Sequence, residues 1–167
     1  MDELISRLKS RRLGILSLLK MVPDELWDWK PNVSMRSTAE LASHLACGPL
    51  ALLKLLKGAI PNEKSYFALE KDHRPKNAGE AVQLYEAGLQ RLIAYLKEHI
   101  GDARENQIEL FYLQHPTSIY AEVFGEIGHE WFHLGQLFTH LRQNSVSVDM
   151  GAYYGYKDPD SNRPPNK

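Results

Sequence analysis

Apolar side chains recur at helical spacing in four long segments of this 167-residue chain. In the first segment the apolar positions include Leu4, Leu8, Ile15 and Leu19. Such spacing places side chains on one face of a helix, whereas a strand needs strict alternation, of which the chain has no convincing case. The pattern predicts an all-α fold, a four-helix bundle with a long crossover connection. The predicted helices cover residues 2–22, 37–57, 81–99 and 118–143.

Local signals mark the start and the middle of the second predicted helix. Ser37 followed by Glu40 forms a capping box, in which each side chain can satisfy a free backbone N–H at the helix start. Pro49 has no N–H to donate, and its ring clashes with the carbonyl of Leu45. We therefore expect this helix to be interrupted at Gly48-Pro49.

The segments between and after the predicted helices are expected to be irregular. Residues 58–77 contain glycine and proline and should form the long crossover, and 101–117 should hold only a short extended piece at 108–113. A bundle domain over 1–150 should be followed by an irregular tail over 151–167 that contains tyrosine and proline. The tyrosines that could hold the start of this tail against the bundle are Tyr153, Tyr154 and Tyr156.

The charge balance and the single cysteine limit the partners and the location of the protein. The formal net charge is −1 and the basic residues are scattered, which disfavours nucleic acid because a phosphate backbone is bound through a basic surface. We expect no membrane partner, because the apolar stretches read as far shorter than a bilayer span. Cys47 has no second cysteine to pair with, and the acidic start is unlike a signal peptide, so we expect a cytoplasmic protein.

Three histidines carry the chemistry that the sequence predicts. His129 and His133 are four residues apart, a spacing that puts two imidazoles one above the other on the same face of a helix. A third imidazole, that of His44 on the second helix, would complete a His₃ metal site. Three protein ligands leave one coordination position open, which is typical of catalytic rather than structural metal sites.

The last predicted helix has a polar face and an apolar face. At about 100° per residue the polar positions fall within one arc of about 80°. This arc is either the solvated side of an amphipathic helix or the lining of an inner cleft, and its histidine content favours the cleft. The polar positions are Glu122, Glu126, His129, His133, Gln136 and His140. The apolar positions, which would pack in the core or against a second subunit, are Phe124, Ile127, Trp131, Leu134, Phe138 and Leu141.

Two competing interpretations of these histidines are weaker. His140 lies two turns beyond His133, about 10 Å along the helix axis, which is too far for the two to share one ion easily. The segment from His129 to His133 also matches the HExxH pattern of zinc proteases. However, no glutamate follows Glu130 to serve as a further ligand, and Glu130 points about 100° away from His129 on a helix. A protease is therefore disfavoured.

Three stretches of the sequence resemble the DinB-like family of metal-binding four-helix bundles, which includes YfiT-like hydrolases and thiol-dependent transferases. The first is the turn at 26–31 together with 35–45, which contains His44. The second is the spacing to the third helix. The third and most specific is the pattern HExxHxGQLxxxLR over 129–142. Together these stretches cover about residues 1–145.

The resemblance implies that His44, His129 and His133 are ligands of one divalent metal ion. It also implies an up-down-down-up bundle and a homodimer. Neutral imidazoles suit Zn²⁺, Ni²⁺, Fe²⁺ and Mn²⁺, and among these we expect Zn²⁺ or Ni²⁺. The chain departs from the family pattern at Gly48-Pro49 and in its tyrosine-rich tail.

The predicted site leads to two hypotheses about function. In the first, the protein is a metal-dependent thiol S-transferase or small-molecule hydrolase, and a bound thiol or water is the nucleophile. Its partners would be a small-molecule substrate and a low-molecular-weight thiol. Glu126 would accept a proton or orient a ligand, Gln136 would orient an imidazole, and Cys47 could be a fourth ligand or a nucleophile. In the second hypothesis, the protein is a non-catalytic metal- or ligand-binding dimer with a stress-related role.

Overall fold

The computed structural model describes residues 2–99 and 105–156, and helices dominate this part of the chain. It contains six α-helices and one pair of two-residue strands. In chain order they are α1 (Asp2–Lys20), α2 (Thr38–Leu56), α3 (Glu63–Asp72), α4 (Ala78–Glu98), β1 (Gln107–Ile108), β2 (Thr117–Ser118), α5 (Ile119–Gln143) and α6 (Met150–Tyr154). The predicted helical-bundle fold is confirmed, while the up-down-down-up order stays a prediction.

The core lies between the four long helices α1, α2, α4 and α5. Helix α2 packs against both α4 and α5, and α1 packs against α4, α5 and α6. The leucines of α2 show how deep this helix lies, since Leu41, Leu45 and Leu52 are each exposed by 2% or less. Burying one such side chain contributes about 1.5–3 kcal/mol to folding. Helix α2 is therefore the central element of the bundle.

The apolar character of α2 corrects one expectation from the sequence. By length and composition alone, α2 could cross a membrane, although its apolar stretch was expected to be too short. In the structure, 89% of the stretch that meets this test is buried inside the bundle. Core helices of ordinary bundles pass the same test, because they are apolar on every side.

Each α-helix after α1 begins with a residue whose side chain caps the first free backbone N–H groups. At the start of α2, the Ser37 hydroxyl accepts a hydrogen bond from the Glu40 backbone N–H at 3.1 Å, and the Glu40 carboxylate accepts one from the Ser37 N–H at 2.7 Å. The predicted capping box is thus confirmed. The other capping residues are Asn62, Asn77, Ser118 and Asp149.

The interruption expected at Pro49 is wrong, because α2 continues as a single helix through this residue. Helix α4 comes very close at this point. A Cβ atom added at Gly88 would lie 3.1 Å from the backbone nitrogen of Leu50 and 3.4 Å from Cβ of Pro49. Packing against α4 offsets the hydrogen bond that Pro49 cannot donate, and tertiary contacts generally outweigh local helix propensity.

The crossover predicted at 58–77 contains a helix that the sequence analysis missed. Helix α3 begins after Asn62, whose side chain accepts a hydrogen bond from the Ser65 backbone N–H at 2.9 Å. Leu69 is its only buried residue. Helix α3 is only ten residues long and lies between Pro61 and Pro75, and these prolines are typical of an irregular connection.

The extended piece is shorter than expected, whereas the start of the tail is more regular than expected. The strand β1 covers only the start of the predicted 108–113 piece and pairs antiparallel with β2, with Ile108 opposite Thr117. The tail begins as part of α6, where the Tyr153 ring packs against Trp131 with a centroid distance of 5.3 Å. Residues 100–104 and 157–167 of the predicted connection and tail lie outside the described residues.

Helices α1 and α6 meet at Gly14, and a substitution that adds one methyl group there can test this contact. A Cβ atom at Gly14 would overlap the backbone carbonyl oxygen of Tyr153, which cannot rotate away as a side chain could. We expect Gly14→Ala to lower the free energy of unfolding by about 1–3 kcal/mol, measured by urea denaturation.

The matched control for this substitution is Gly128→Ala on α5. Nothing lies within 4 Å of a Cβ atom added at Gly128. Alanine in this helix interior should raise the free energy of unfolding by up to about 1 kcal/mol. Equal effects of the two substitutions would contradict the close contact between α1 and α6.

Candidate metal centre

Histidines from α2 and α5 converge at one point between these two helices. Nε2 of His129 lies 3.2 Å from Nε2 of His44 and 2.9 Å from Nε2 of His133. All three ligand atoms lie within 4.8 Å of one another. Three imidazole nitrogens around a tetrahedral Zn²⁺ would be about 3.3 Å apart, given Zn–N bonds of about 2.0–2.1 Å. This His triad could therefore hold one divalent ion.

Two of the three imidazoles are oriented by acceptors on their own helix. Nδ1 of His129 lies 3.0 Å from Oε2 of Glu126, and Nδ1 of His133 lies 2.8 Å from Oε1 of Gln136. When Nδ1–H donates to these oxygens, the lone pair of Nε2 points toward the common centre. The structure thus places both sequence-predicted helper residues against the histidines.

The third imidazole is oriented from α3, by a residue that the sequence analysis missed. Nδ1 of His44 hydrogen-bonds with Oε1 of Glu70, and both side chains are largely buried. Burial alone would raise the pKa of Glu70, but the hydrogen bond from His44 and the charges of His44 and Arg36 outweigh it, so the net shift is downward. The Asn62 cap was the sequence signal that could have revealed α3 and with it Glu70.

Lone pairs facing one another make the triad a good place for a cation. When each Nδ1–H is donated outward, the Nε2 lone pairs of His129 and His133 face each other across 2.9 Å. Burial, followed by the charge of His44, lowers the pKa of His133 to about 4. The hydrogen bond to Glu126 raises the pKa of His129, although burial opposes this shift. His133 is thus neutral at pH 7, which is the form that binds a metal ion.

The polar arc of α5 lines a cleft that is partly open to solvent, since the side chain of His129 is 40% exposed. His133 is 8% exposed and His140 is 2% exposed. His140 nevertheless lies outside the triad. Its Nδ1 atom is 3.3 Å from the hydroxyl of Thr38, and its ring meets Trp29 edge-to-face at a centroid distance of 5.1 Å. Of the two readings of the arc, the structure therefore shows the inner cleft.

Glu130, the glutamate of the HExxH match, turns into the core. It is 4% exposed, and the Tyr85 hydroxyl donates a hydrogen bond to it at 3.3 Å. Burial, and then the charge of Glu126, raises the pKa of Glu130 to about 8. Nearby, the buried Arg11 guanidinium stacks 3.6 Å from the centre of the Trp131 ring. Glu130 is thus a core residue, and the geometry does not favour a protease.

Cys47 is a packed core thiol in this structure. It is 1% exposed, and burial followed by the charge of Glu70 raises its pKa to about 12. Among the described residues, the group that could hold an ion contains the three histidines and not Cys47. A buried protonated thiol is a poor nucleophile and a poor ligand.

This description of Cys47 predicts its reactivity. At pH 8 the native protein should react negligibly with iodoacetamide, because the thiolate fraction is small below a pKa of about 12 and the sulfur is covered. The unfolded protein should be alkylated readily, since an exposed thiol has a pKa of about 8.5. Mass spectrometry of both samples would measure this difference, and complete labelling of the native protein would contradict it.

An open cavity of about 460 Å³ lies against the triad, and we call it the aromatic cavity. His44, His129 and Glu126 line the side at the candidate metal centre. Gly125 leaves room on α5, since nothing lies within 4 Å of a Cβ atom added there. The rings that line the cavity are Tyr66, Phe67, Phe111 and Tyr112.

A helical bundle with a His triad between two of its helices defines the class of protein. The sequence profile of the DinB superfamily matches residues 7–137, which is most of the chain. The chain therefore belongs to the DinB superfamily, as the resemblance had predicted. No protein of curated function matches the sequence.

Solved structures of DinB-like proteins share this fold. A DinB-like protein from Bacillus cereus superposes with a TM-score of 0.73 at 14% identity, covering 89% of this chain and 95% of that one. A DinB-like protein from Bacillus subtilis gives 0.65 at 19% identity, covering 87% and 94%. A protein from Exiguobacterium sibiricum, described as a member of the DinB family, gives 0.69 at 18% identity, covering 90% and 95%. At these identities the likeness establishes the fold.

Proposed function

We propose that this protein is a divalent-metal-dependent enzyme acting on a small molecule, as a thiol S-transferase or as a hydrolase. His44, His129 and His133 would hold the ion, with Zn²⁺ or Ni²⁺ as first candidates and Fe²⁺ or Mn²⁺ as alternatives. The observation that carries the proposal is the aromatic cavity, which opens directly onto the triad. Structural metal sites are closed by four protein ligands, whereas a catalytic site keeps a position open for a substrate or water.

The residues around the triad have separable tasks in this proposal. A divalent ion in the site would lower the pKa of a bound water or thiol and so supply a nucleophile near neutral pH. Glu70, Glu126 and Gln136 hold the three imidazoles in position. The two carboxylates also offset the charge of a divalent cation. Glu126 lines the aromatic cavity as well, where it could accept the proton that the nucleophile loses.

The walls of the aromatic cavity fit an apolar electrophile. Tyr66 and Phe67 come from α3, and Phe111 and Tyr112 come from the connection before β2. Burial, and then the charge of Glu70, raises the pKa of Tyr66, so its hydroxyl stays protonated and can donate a hydrogen bond. Apolar walls with a few placed donors are typical of small-molecule sites.

A cytoplasmic homodimer is part of the same proposal. Phe124 and Phe132 are 53% and 62% exposed on the outer side of α5, and a second subunit would cover such rings. Light scattering coupled to gel filtration would measure the mass of the protein in solution.

The metal itself is the first test. Untagged wild-type protein should carry about one equivalent of a divalent metal by elemental analysis, as expected for a single site. His129→Ala should carry none, while His115→Ala, an exposed histidine outside the triad, should match the wild type. Glu70→Ala should bind the metal about 10–100-fold more weakly, because it loses the acceptor that orients His44. Asp72→Ala on the same helix is the matched control, and equal affinity of these two variants would contradict the role of Glu70.

Catalysis is tested by Glu126→Gln, which keeps an oxygen for His129 to donate to and removes the negative charge. We expect the variant to retain the metal and to lose about 10²–10⁴-fold in turnover, as expected for a removed proton acceptor. A screen of thiols with electrophiles, and of esters and amides without thiol, would provide the assay. Thiol-dependent turnover would identify a transferase and thiol-independent turnover a hydrolase. Metal binding without either activity would identify the non-catalytic dimer.

A further inference from the structure

A second cavity, of about 430 Å³, adjoins the candidate metal centre, and we call it the basic pocket. It lies between the segment that leads into α2 and the end of α3, and it shares Arg36 and Phe67 with the aromatic cavity. Glu70, the partner of His44, is also part of its wall. Its cationic side chains are Lys30, Arg36, Lys71 and Arg74.

The carboxylates of the basic pocket are already engaged. Glu40 belongs to the cap of α2 and pairs with Lys30 at 3.6 Å. Glu70 is held by His44. Among the described residues, no ion pair within 4 Å involves the three remaining cations. These three are Arg36, Lys71 and Arg74.

Arg36 connects the basic pocket to the triad. Its Nη1 atom is buried and has no hydrogen-bond partner. Its side chain also lines a third cavity, of about 230 Å³, whose wall includes His133 and Gln136. A buried donor without an acceptor is unfavourable, and a bound anion would remove that penalty.

We propose that the basic pocket binds the anionic group, a carboxylate or a phosphate, of the small molecule whose reacting end lies at the His triad. Guanidinium groups bind both anions through paired hydrogen bonds, and Arg36 is placed to make them beside the triad. Lys71 and Arg74 are exposed at the mouth, where they attract an anion from solution. The geometry of the basic pocket alone supports the anion site. The claim that the bound molecule also reacts at the His triad rests on the proposed function.

The anion site can be tested without any metal. Succinate and inorganic phosphate are titrated separately into the full chain after removal of metal by a chelator, at low ionic strength, with calorimetry as the readout. We expect saturable binding of at least one anion, weakened about tenfold or more in Lys71→Gln/Arg74→Gln because two of the three unpaired cations that attract the anion are removed. Tighter binding of succinate would identify a carboxylate subsite, and tighter binding of phosphate a phosphate subsite.

The matched control is Lys64→Gln/Arg91→Gln, which removes the same residue types from exposed positions on α3 and α4 outside the pocket. This control should bind the preferred anion as the wild type does. Equal weakening in both double variants, or no saturable binding to the wild type, would overturn the anion site.

The link to the triad is tested with Co²⁺-loaded protein and two thiols of similar size. 3-Mercaptopropionate carries a carboxylate and 2-mercaptoethanol a hydroxyl, and the cobalt–thiolate absorption band reports binding of each. We expect the carboxylate thiol to saturate at lower concentration in the wild type, and this preference to disappear in Lys71→Gln/Arg74→Gln. Equal saturation in the wild type would overturn the link. Failure of Co²⁺ to bind would overturn the proposed function instead, and the titration of metal-free protein would still decide the anion site.

Discussion

The close packing of α2 on α5 is the constraint from which the rest of the site follows. It brings Nε2 of His44 within 3.2 Å of Nε2 of His129, although the two residues are far apart in sequence. Gly48, one turn after His44, lies at this contact. A Cβ atom there would lie 3.4 Å from an oxygen of Glu126 and 3.8 Å from an oxygen of Glu130. These are ordinary contact distances, so α2 packs directly against the carboxylates of α5, and the bundle core and the site are built at one interface.

Without a cation, three Nε2 lone pairs that face one another would be locally unfavourable inside a well-packed bundle. Three nitrogen lone pairs converge while the outward N–H groups are satisfied by Glu70, Glu126 and Gln136. Helix α2 buries leucines on either side of His44, and that burial holds His44 in its position at the triad. Natural proteins commonly give up local stability at functional positions in this way. A cation at the centre of the triad would stabilise this arrangement of lone pairs.

Long periodic helices made most of the fold and the triad predictable. The i, i+4 spacing of His129 and His133 sufficed to place both on one face, and the same arc contained Glu126 and Gln136. Glu70 was not predicted because α3 is only ten residues long and lies between Pro61 and Pro75, in a segment whose composition favours an irregular connection. The predicted interruption at Pro49 was wrong because packing against α4 overrides a local helix breaker. A single sequence does not reveal that packing. The aromatic cavity and the basic pocket are each formed by several segments, and such cavities cannot be predicted from the periodicity of a sequence.

Helix α3 links the triad to both neighbouring cavities. It packs on the bundle through one buried leucine, yet it supplies Glu70 to the triad, Tyr66 to the aromatic cavity and Lys71 to the basic pocket. An ion held by His44 therefore favours the docked position of α3, and by thermodynamic reciprocity a loosened α3 weakens the hold on the ion. Substitutions on this one helix can also alter ligand preference while the leucine core stays untouched. Helix α3 is thus the element at which a substitution can change the triad and both cavities together.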